Sequence, residues 1–208
     1  MKTIITIQHA QSLHHGTNKI GSWTDWDLTD LGKTHSENIG RSLSKEIQGK
    51  DFIIYSSDLI RARKTVEPLA KYLGIDITYR QNLREINHGD AVGKDKLWAR
   101  ENTTNGWSYT NFDIPQFNGG ETWREFWERV EEIVRDVEND DAANIILVSH
   151  GVTMSVFQSV WMGQGVKPFE YTGLAGGVSF FGIDDDGKKV IHRLNDASYM
   201  NLNLGGSL

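Results

Sequence analysis

Three short, almost unbroken apolar runs constrain this chain more than any other feature. They are Ile4 to Gln8, Asp51 to Tyr55 and Asn144 to Ser149, each dominated by Ile, Val, Leu, Phe or Tyr. A strand exposed on one face alternates apolar and polar residues, whereas a strand buried on both faces does not. The runs therefore predict a mostly parallel sheet covered by helices on both sides. Helical repeats lie between them. Leu31, Ile39, Leu43 and Ile47 follow an N-cap candidate, Thr29. Leu59 to Leu73 carries Ala62, Val66, Leu69, Ala70 and Leu73, with Pro68 threatening a kink. Thr122 to Val137 repeats Phe126, Val130, Ile133, Val134 and Val137, and Val152 to Met162 is a further short helix. Near the C-terminus, Val178 to Ile183 and Lys188 to Leu194 flank Asp184-Asp185-Asp186-Gly187, which predicts an antiparallel hairpin. The expected fold is α/β, a three-layer sandwich forming one domain over residues 1–208. An insertion or cap region is expected around 90–118, where no period dominates.

Composition narrows the class. A chain of 208 residues buries a sizeable core without disulfides. Lys plus Arg is 22 against Asp plus Glu at 28, a formal charge of -6, which opposes a nucleic-acid partner. The absence of cysteine removes disulfide scaffolds, thiolate zinc sites and cysteine nucleophiles. The first apolar run is too short for a signal-peptide core or a membrane span. A cytoplasmic protein with no membrane partner is the expectation.

In open α/β sheets, ligands bind beyond the carboxyl ends of the strands. The first run there delivers Gln8 and His9. The second delivers Ser56, Ser57 and Asp58, with Arg61 and Arg63 just inside the next helix. The third delivers Ser149, His150 and Gly151. Two strand-end histidines with an arginine nearby define a site for an anion. A helix starting after Gly151 would add N–H groups and its positive dipole end.

Gln8-His9-Ala10-Gln11-Ser12, Trp23-Thr24-Asp25 and Leu28-Thr29-Asp30-Leu31-Gly32 resemble the opening of the histidine phosphatase superfamily, which includes the cofactor-dependent phosphoglycerate mutases. Ser56-Ser57-Asp58-Leu59-Ile60-Arg61-Ala62, Leu83-Arg84-Glu85 with Gly89, Gly119-Gly120-Glu121-Thr122 and Val148-Ser149-His150-Gly151 resemble its later motifs, in order. The resemblance implies a phosphatase that hydrolyses a small-molecule phosphomonoester through a phosphohistidine on His9. It makes Arg61 and His150 donors to the phosphate oxygens and Glu85 the general acid. Gln8, Ser12, His15 and Gly151 become substrate-binding candidates. The implied partner is a small phosphorylated metabolite or inorganic phosphate, with no metal and no cofactor.

The first motif departs from the family's usual Arg-His-Gly, since Gln8 stands where arginine is normal. Glutamine keeps a donor but loses charge and bidentate geometry. His15, where asparagine is common, would restore positive charge if protonated, or is simply a solvated loop residue beside His14. A metal site from His14, His15 and His88 lacks recognisable ligand spacing. The aromatic set Trp98, Trp107, Tyr109 and Phe112 either caps a substrate with an apolar or ring-bearing portion or only packs an irregular segment. Two other functions compete: a catalytically weak phospho-ligand-binding domain and a phosphoglycerate-type mutase.

Overall fold

The computed structural model describes residues 1–106, 111–168 and 171–201. Its sheet contains β1 (Lys2–Gln8), β2 (Ile53–Ser57), β3 (Ile77–Arg80), β4 (Asn144–Ser149), β5 (Val178–Ile183) and β6 (Lys189–Asp196). The strand order is β3-β2-β4-β1-β5-β6. The β3–β2, β2–β4 and β4–β1 pairs are parallel, while β5 runs antiparallel to β1 and β6 antiparallel to β5. Helices α1 (Asp30–Glu46), α2 (Ile60–Leu73), α3 (Lys96–Glu101), α4 (Trp123–Asn139) and α5 (Gly151–Trp161) complete the described fold.

The unbroken apolar runs have the expected cause. Along β1, Ile5 and Ile7 enter the core beneath α1 and α2, while Ile4 enters the opposite core beneath α4 and α5. In β4, Ile146 and Val148 join the first core and Ile145 and Leu147 the second. A strand with a core on each face needs apolar residues at every position. The edge strand β3 has no such run, because Thr78 and Tyr79 face solvent.

Thr29 caps α1 by accepting from Gly32 N–H at 3.0 Å. The predicted stripe is only partly right: Leu31 is half exposed, while Ile39 and Leu43 are buried. Eight residues turn a helix about 80° past two full turns, so Leu31 points away from the line that Ile39 begins. Pro68 lies inside α2 and cannot bond the carbonyl of Lys64. Ser36 Oγ–H of α1 serves the carbonyls of Lys64 and Thr65 instead, at 2.8 and 2.9 Å. The hairpin forms as expected, and Asp184 Oδ1 accepts N–H groups from Asp186 and Lys188 across its turn.

Within the expected cap, α3 is followed by irregular chain that bonds Thr104 N–H to Gln116 C=O. Trp98 packs against a small cluster of Ile20, Ala91, Ala99 and Phe117. Phe112 packs against the α4 side of the core. Trp107 and Tyr109 lie outside the described residues.

Candidate active site

The register of the central strands makes the site. Gln8 of β1 pairs with Ser149 of β4, so the residues that follow, His9 and His150, leave the sheet side by side. His9 N–H donates to Ser149 C=O at 2.9 Å. The two ring centroids stand 5.1 Å apart, edge to face. Both rings are buried.

Hydrogen bonds fix the tautomer of His9. Its Nδ1 is 2.8 Å from Ala10 C=O, which only accepts, so Nδ1 carries the proton. Nε2 is left with a lone pair, onto which Arg61 Nε–H donates at 3.2 Å. Burial first, and then the Arg61 guanidinium, hold the His9 pKa well below the usual imidazole value. The ring is therefore neutral, with a nucleophilic nitrogen facing a cation.

Arg61 is itself locked. Its remaining nitrogens donate to Thr24 C=O at 2.7 Å and Ser22 C=O at 2.6 Å. Burial lowers its pKa to about 10, which leaves it charged at neutral pH. His150 Nε2 lies 2.8 Å from Ser57 Oγ, which already accepts from Leu59 N–H. His150 Nδ1, on the other side of the ring, is a buried atom with no hydrogen-bond partner. Burial and Arg61 push the His150 pKa well down. His150 is thus a neutral imidazole packed edge to face on His9.

Glu85 receives the bonds that were expected to serve an anion. Its Oε1 accepts from Ile86 N–H, Thr153 N–H and Thr153 Oγ–H, all at 3.1 Å. Its Oε2 accepts from Val152 N–H at 3.0 Å. The N-terminus of α5 thus holds this carboxylate. The loop is braced from behind by Arg129, which donates to the carbonyls of Asn82, Arg84 and Glu85 and pairs with Glu121. Glu121 in turn accepts Asn87 N–H at 2.7 Å. Gly89 has φ +48, and a Cβ there would stand 2.1 Å from Asn118 C=O, so only glycine fits this crossing. Arg84 is ion-paired with Asp58, and Ser149 Oγ–H holds Leu83 C=O at 2.6 Å.

These groups open onto one cavity of about 290 Å³. His9, Arg61, Glu85 and Val152 line it together with His14, His15, His88, Lys19, Ile20, Lys96 and Ile86. Of the residues expected at the site, His9, Arg61, Glu85 and His15 line the cavity, and His150 sits directly behind His9. Gln8, Ser12 and Gly151 do not line it. Gln8 leaves β1 on the opposite face from His9, as the two-residue period of a strand dictates. It enters a separate space of about 10 Å³ beside Ser155 and Asn195, where its Oε1 has no partner. Ser12 is buried with Oγ 2.6 Å from His14 Nδ1, ordering its own loop. Gly151 opens α5 next to Gln8.

His15 reaches the cavity without charge. Burial, Arg61 and Lys96 all lower its pKa, and they push His14 down to about 3. His15 Nδ1 accepts Ser12 N–H at 3.0 Å, which leaves Nε2–H as a donor. The idea of a protonated His15 replacing the missing arginine is therefore corrected to a neutral donor. One nitrogen from each of His9, His14 and His15 lies within 4.8 Å of the other two. The set does not suit a metal ion, because Arg61 occupies the His9 lone pair and His15 Nε2 carries its proton. Lys19 and Lys96 were not legible as site residues. They enter because chain segments 17–21 and 93–96 pair, with Ile20 N–H on Lys94 C=O and Lys96 N–H on Asn18 C=O, both at 2.9 Å.

A neutral histidine, a buried guanidinium and a carboxyl thus meet in one cavity beyond the carboxyl ends of the parallel strands. The profile of the histidine phosphatase superfamily (branch 1) matches residues 4–197, and the chain belongs to that superfamily. It is 29% identical over 170 residues to a Hydrogenobacter thermophilus protein named "Putative phosphoserine phosphatase 2", covering 80% of this chain and 82% of the relative. It is also 29% identical over 161 residues to a 2,3-bisphosphoglycerate-dependent phosphoglycerate mutase of Methylocella silvestris, covering 72% and 76%. The alpha-ribazole phosphatase of Shigella flexneri shares the fold, with a TM-score of 0.79, 19% identity and coverage of 94% and 96%. Among the described residues, no helix is long and apolar enough to cross a membrane.

Proposed function

We propose that the chain is a phosphatase that hydrolyses a small phosphomonoester through a covalent intermediate on His9. The observation that carries this reading is the unprotonated Nε2 of neutral His9, held by Arg61 Nε–H, in a cavity that Glu85 also lines. Nε2 attacks phosphorus and the ester P–O bond breaks. Glu85 reacts in its acid form: Oε2 accepts a single N–H, its other lone pair carries the carboxyl proton, and the leaving oxygen takes that proton. Water then attacks the phosphohistidine, Glu85 takes its proton back, and the N–P bond breaks to release phosphate. As phosphate enters, Arg61 Nε–H passes from the imidazole to an oxygen. His15 Nε2–H adds a donor while His150 packs against the His9 ring, and positioned donors are most of what phosphoryl transfer needs.

The withdrawal of Gln8 from the cavity favours a second reading, phospho-ligand binding without useful turnover. Catalytic cations in phosphoryl transfer are worth about 10³–10⁵ in rate. Phosphate release from a panel of phosphomonoesters, measured for wild type and His9→Ala, separates the two. Hydrolysis by the wild type that falls to background in the variant supports the phosphatase. Equal inertness, with phosphate still bound, establishes the binding domain. Transfer of the phosphoryl group to an added hydroxyl acceptor in preference to water would make the protein a mutase.

A further inference from the structure

We propose that Ser22 and Trp23 are positioning residues for the general acid, Glu85. Their turn sets the spacing between that carboxyl and Arg61, the group that receives the phosphate. This rests on the phosphatase reading above and deepens it, from which groups react to what holds them in register.

Ser22 is buried and has φ +43, a left-handed conformation that side chains rarely adopt. Glycine takes that conformation without strain, so what serine adds is its hydroxyl. The hydroxyl makes two bonds: Oγ–H donates to Ile86 C=O at 2.7 Å, and Oγ accepts His88 N–H at 2.9 Å. The next residue, Trp23, donates its indole N–H to Glu85 C=O at 2.7 Å. Three bonds therefore grip the chain at and just beyond the reacting carboxyl. The same turn faces the other way through its carbonyls. Those of Ser22 and Thr24 accept the two terminal nitrogens of Arg61, and Asp25 Oδ1 accepts Ile60 N–H at the start of α2. Thr24 closes the turn, donating N–H and Oγ–H to Gly21 C=O at 2.9 and 2.7 Å.

Side chain and main chain thus serve different partners. Ser22 Oγ and Trp23 Nε1 bond the Glu85 loop, whereas main-chain carbonyls bond Arg61. The Trp23 ring also carries the Arg84 guanidinium, 4.7 Å from its centroid, a contact that does not use the N–H. A side-chain substitution can therefore loosen the acid without releasing the cation. Proton delivery needs hydrogen-bond reach, and a displacement near 1 Å costs about 10²-fold in rate. Arg129 also reaches Glu85 C=O, at 3.3 Å, but it ties the loop to Glu121 rather than to Arg61.

Two variants test this. Trp23→Phe keeps the ring beneath Arg84 and removes the N–H. Ser22→Gly relieves the backbone and removes the hydroxyl, with the carbonyl to Arg61 retained. The readout is kcat/KM on ethyl phosphate, whose alcohol must leave with a proton, and on 4-nitrophenyl phosphate, whose phenolate leaves without one. That constant ends at release of the alcohol, before water opens the phosphohistidine, so it isolates the acid step. In each variant it should fall about tenfold or more on ethyl phosphate and stay within about threefold on 4-nitrophenyl phosphate. Inhibition by inorganic phosphate, which reads Arg61, should also stay within about threefold. Wild-type values on both esters overturn the proposal. So do equal losses on the two, which a merely structural role would give, with melting curves checking the fold. If wild type hydrolyses neither ester, the phosphatase reading is what fails. Amide exchange at Val152 and Thr153, whose N–H groups Glu85 accepts, then decides the positioning role. Exchange about tenfold faster in the variants, with β4 amides unchanged, supports it, and unchanged exchange overturns it.

Discussion

Glu85 and Lys96 line one cavity, but the chain holds them by opposite means. Both oxygens of Glu85 are bonded to the start of α5, and Arg129, Glu121 and the Gly89 crossing fix its loop. Lys96 is placed only by backbone pairing, and its ammonium group has no partner. A group that moves a proton must stay within a fraction of an ångström of one atom, so every freedom of Glu85 is removed. A group that attracts an anion through space tolerates motion, so Lys96 is left mobile on its stem.

Arg129→Met tests this division most severely. Arg129 does not line the cavity, so its effect on rate is indirect, through the Glu85 loop it braces and its charge near His150. Its loss should lower kcat by about 10²-fold with little change in KM. It should also cost about 2–4 kcal/mol of stability, because Glu121 is left as a largely buried charge. Arg129→Met/Glu121→Gln should regain much of the stability but not the rate. If kcat returns along with stability, the brace is only structural. Substitution of Lys96 should show the reverse pattern, in KM rather than kcat.

Gln8→Arg compares the two faces of β1. From the motif alone, arginine there should raise turnover or tighten phosphate binding. The structure reverses that expectation. Gln8 points into a closed space beside Gly173, where an added Cβ would stand 2.4 Å from Gln8 Oε1. A longer, charged side chain overfills it and should cost about 1–3 kcal/mol without raising kcat/KM. Thermal unfolding and a phosphate-release assay check both parts. A gain in turnover would show that the side chain can reach the inner site.

Much of this was legible from residue pattern. A strand buried on both faces writes itself as a continuous apolar run, which located β1, β2 and β4 and hence His9 and His150. Alternation also put Gln8 and His9 on opposite faces, a signal present in the sequence that motif matching overrode. Other features depended on distant partners. Nothing near Pro68 announces that Ser36, 28 residues before Lys64, supplies the missing donor. The α5 N-terminus looked like an anion site because Glu85, its occupant, lies 67 residues from Val152. Lys19 and Lys96 sit in segments with no period, and only their pairing brings them to the cavity.

The smallest expected effect concerns a histidine of the cavity wall. Burial lowers the His88 pKa to about 4, and its ring packs edge-on against Phe117. The unfolded chain binds a proton at this residue below about pH 6.5, while the folded protein refuses it until about pH 4. The neutral folded form therefore costs nothing above pH 6.5 and loses stability progressively as pH falls towards 4. His88 alone should lower Tm by about 3–5 °C per pH unit below about 6.5 in a chain of this size. His88→Phe keeps the ring and removes the titration, so its Tm should fall less steeply between pH 6.5 and 5. Identical slopes would mean that His88 takes up its proton in the folded state as readily as in water.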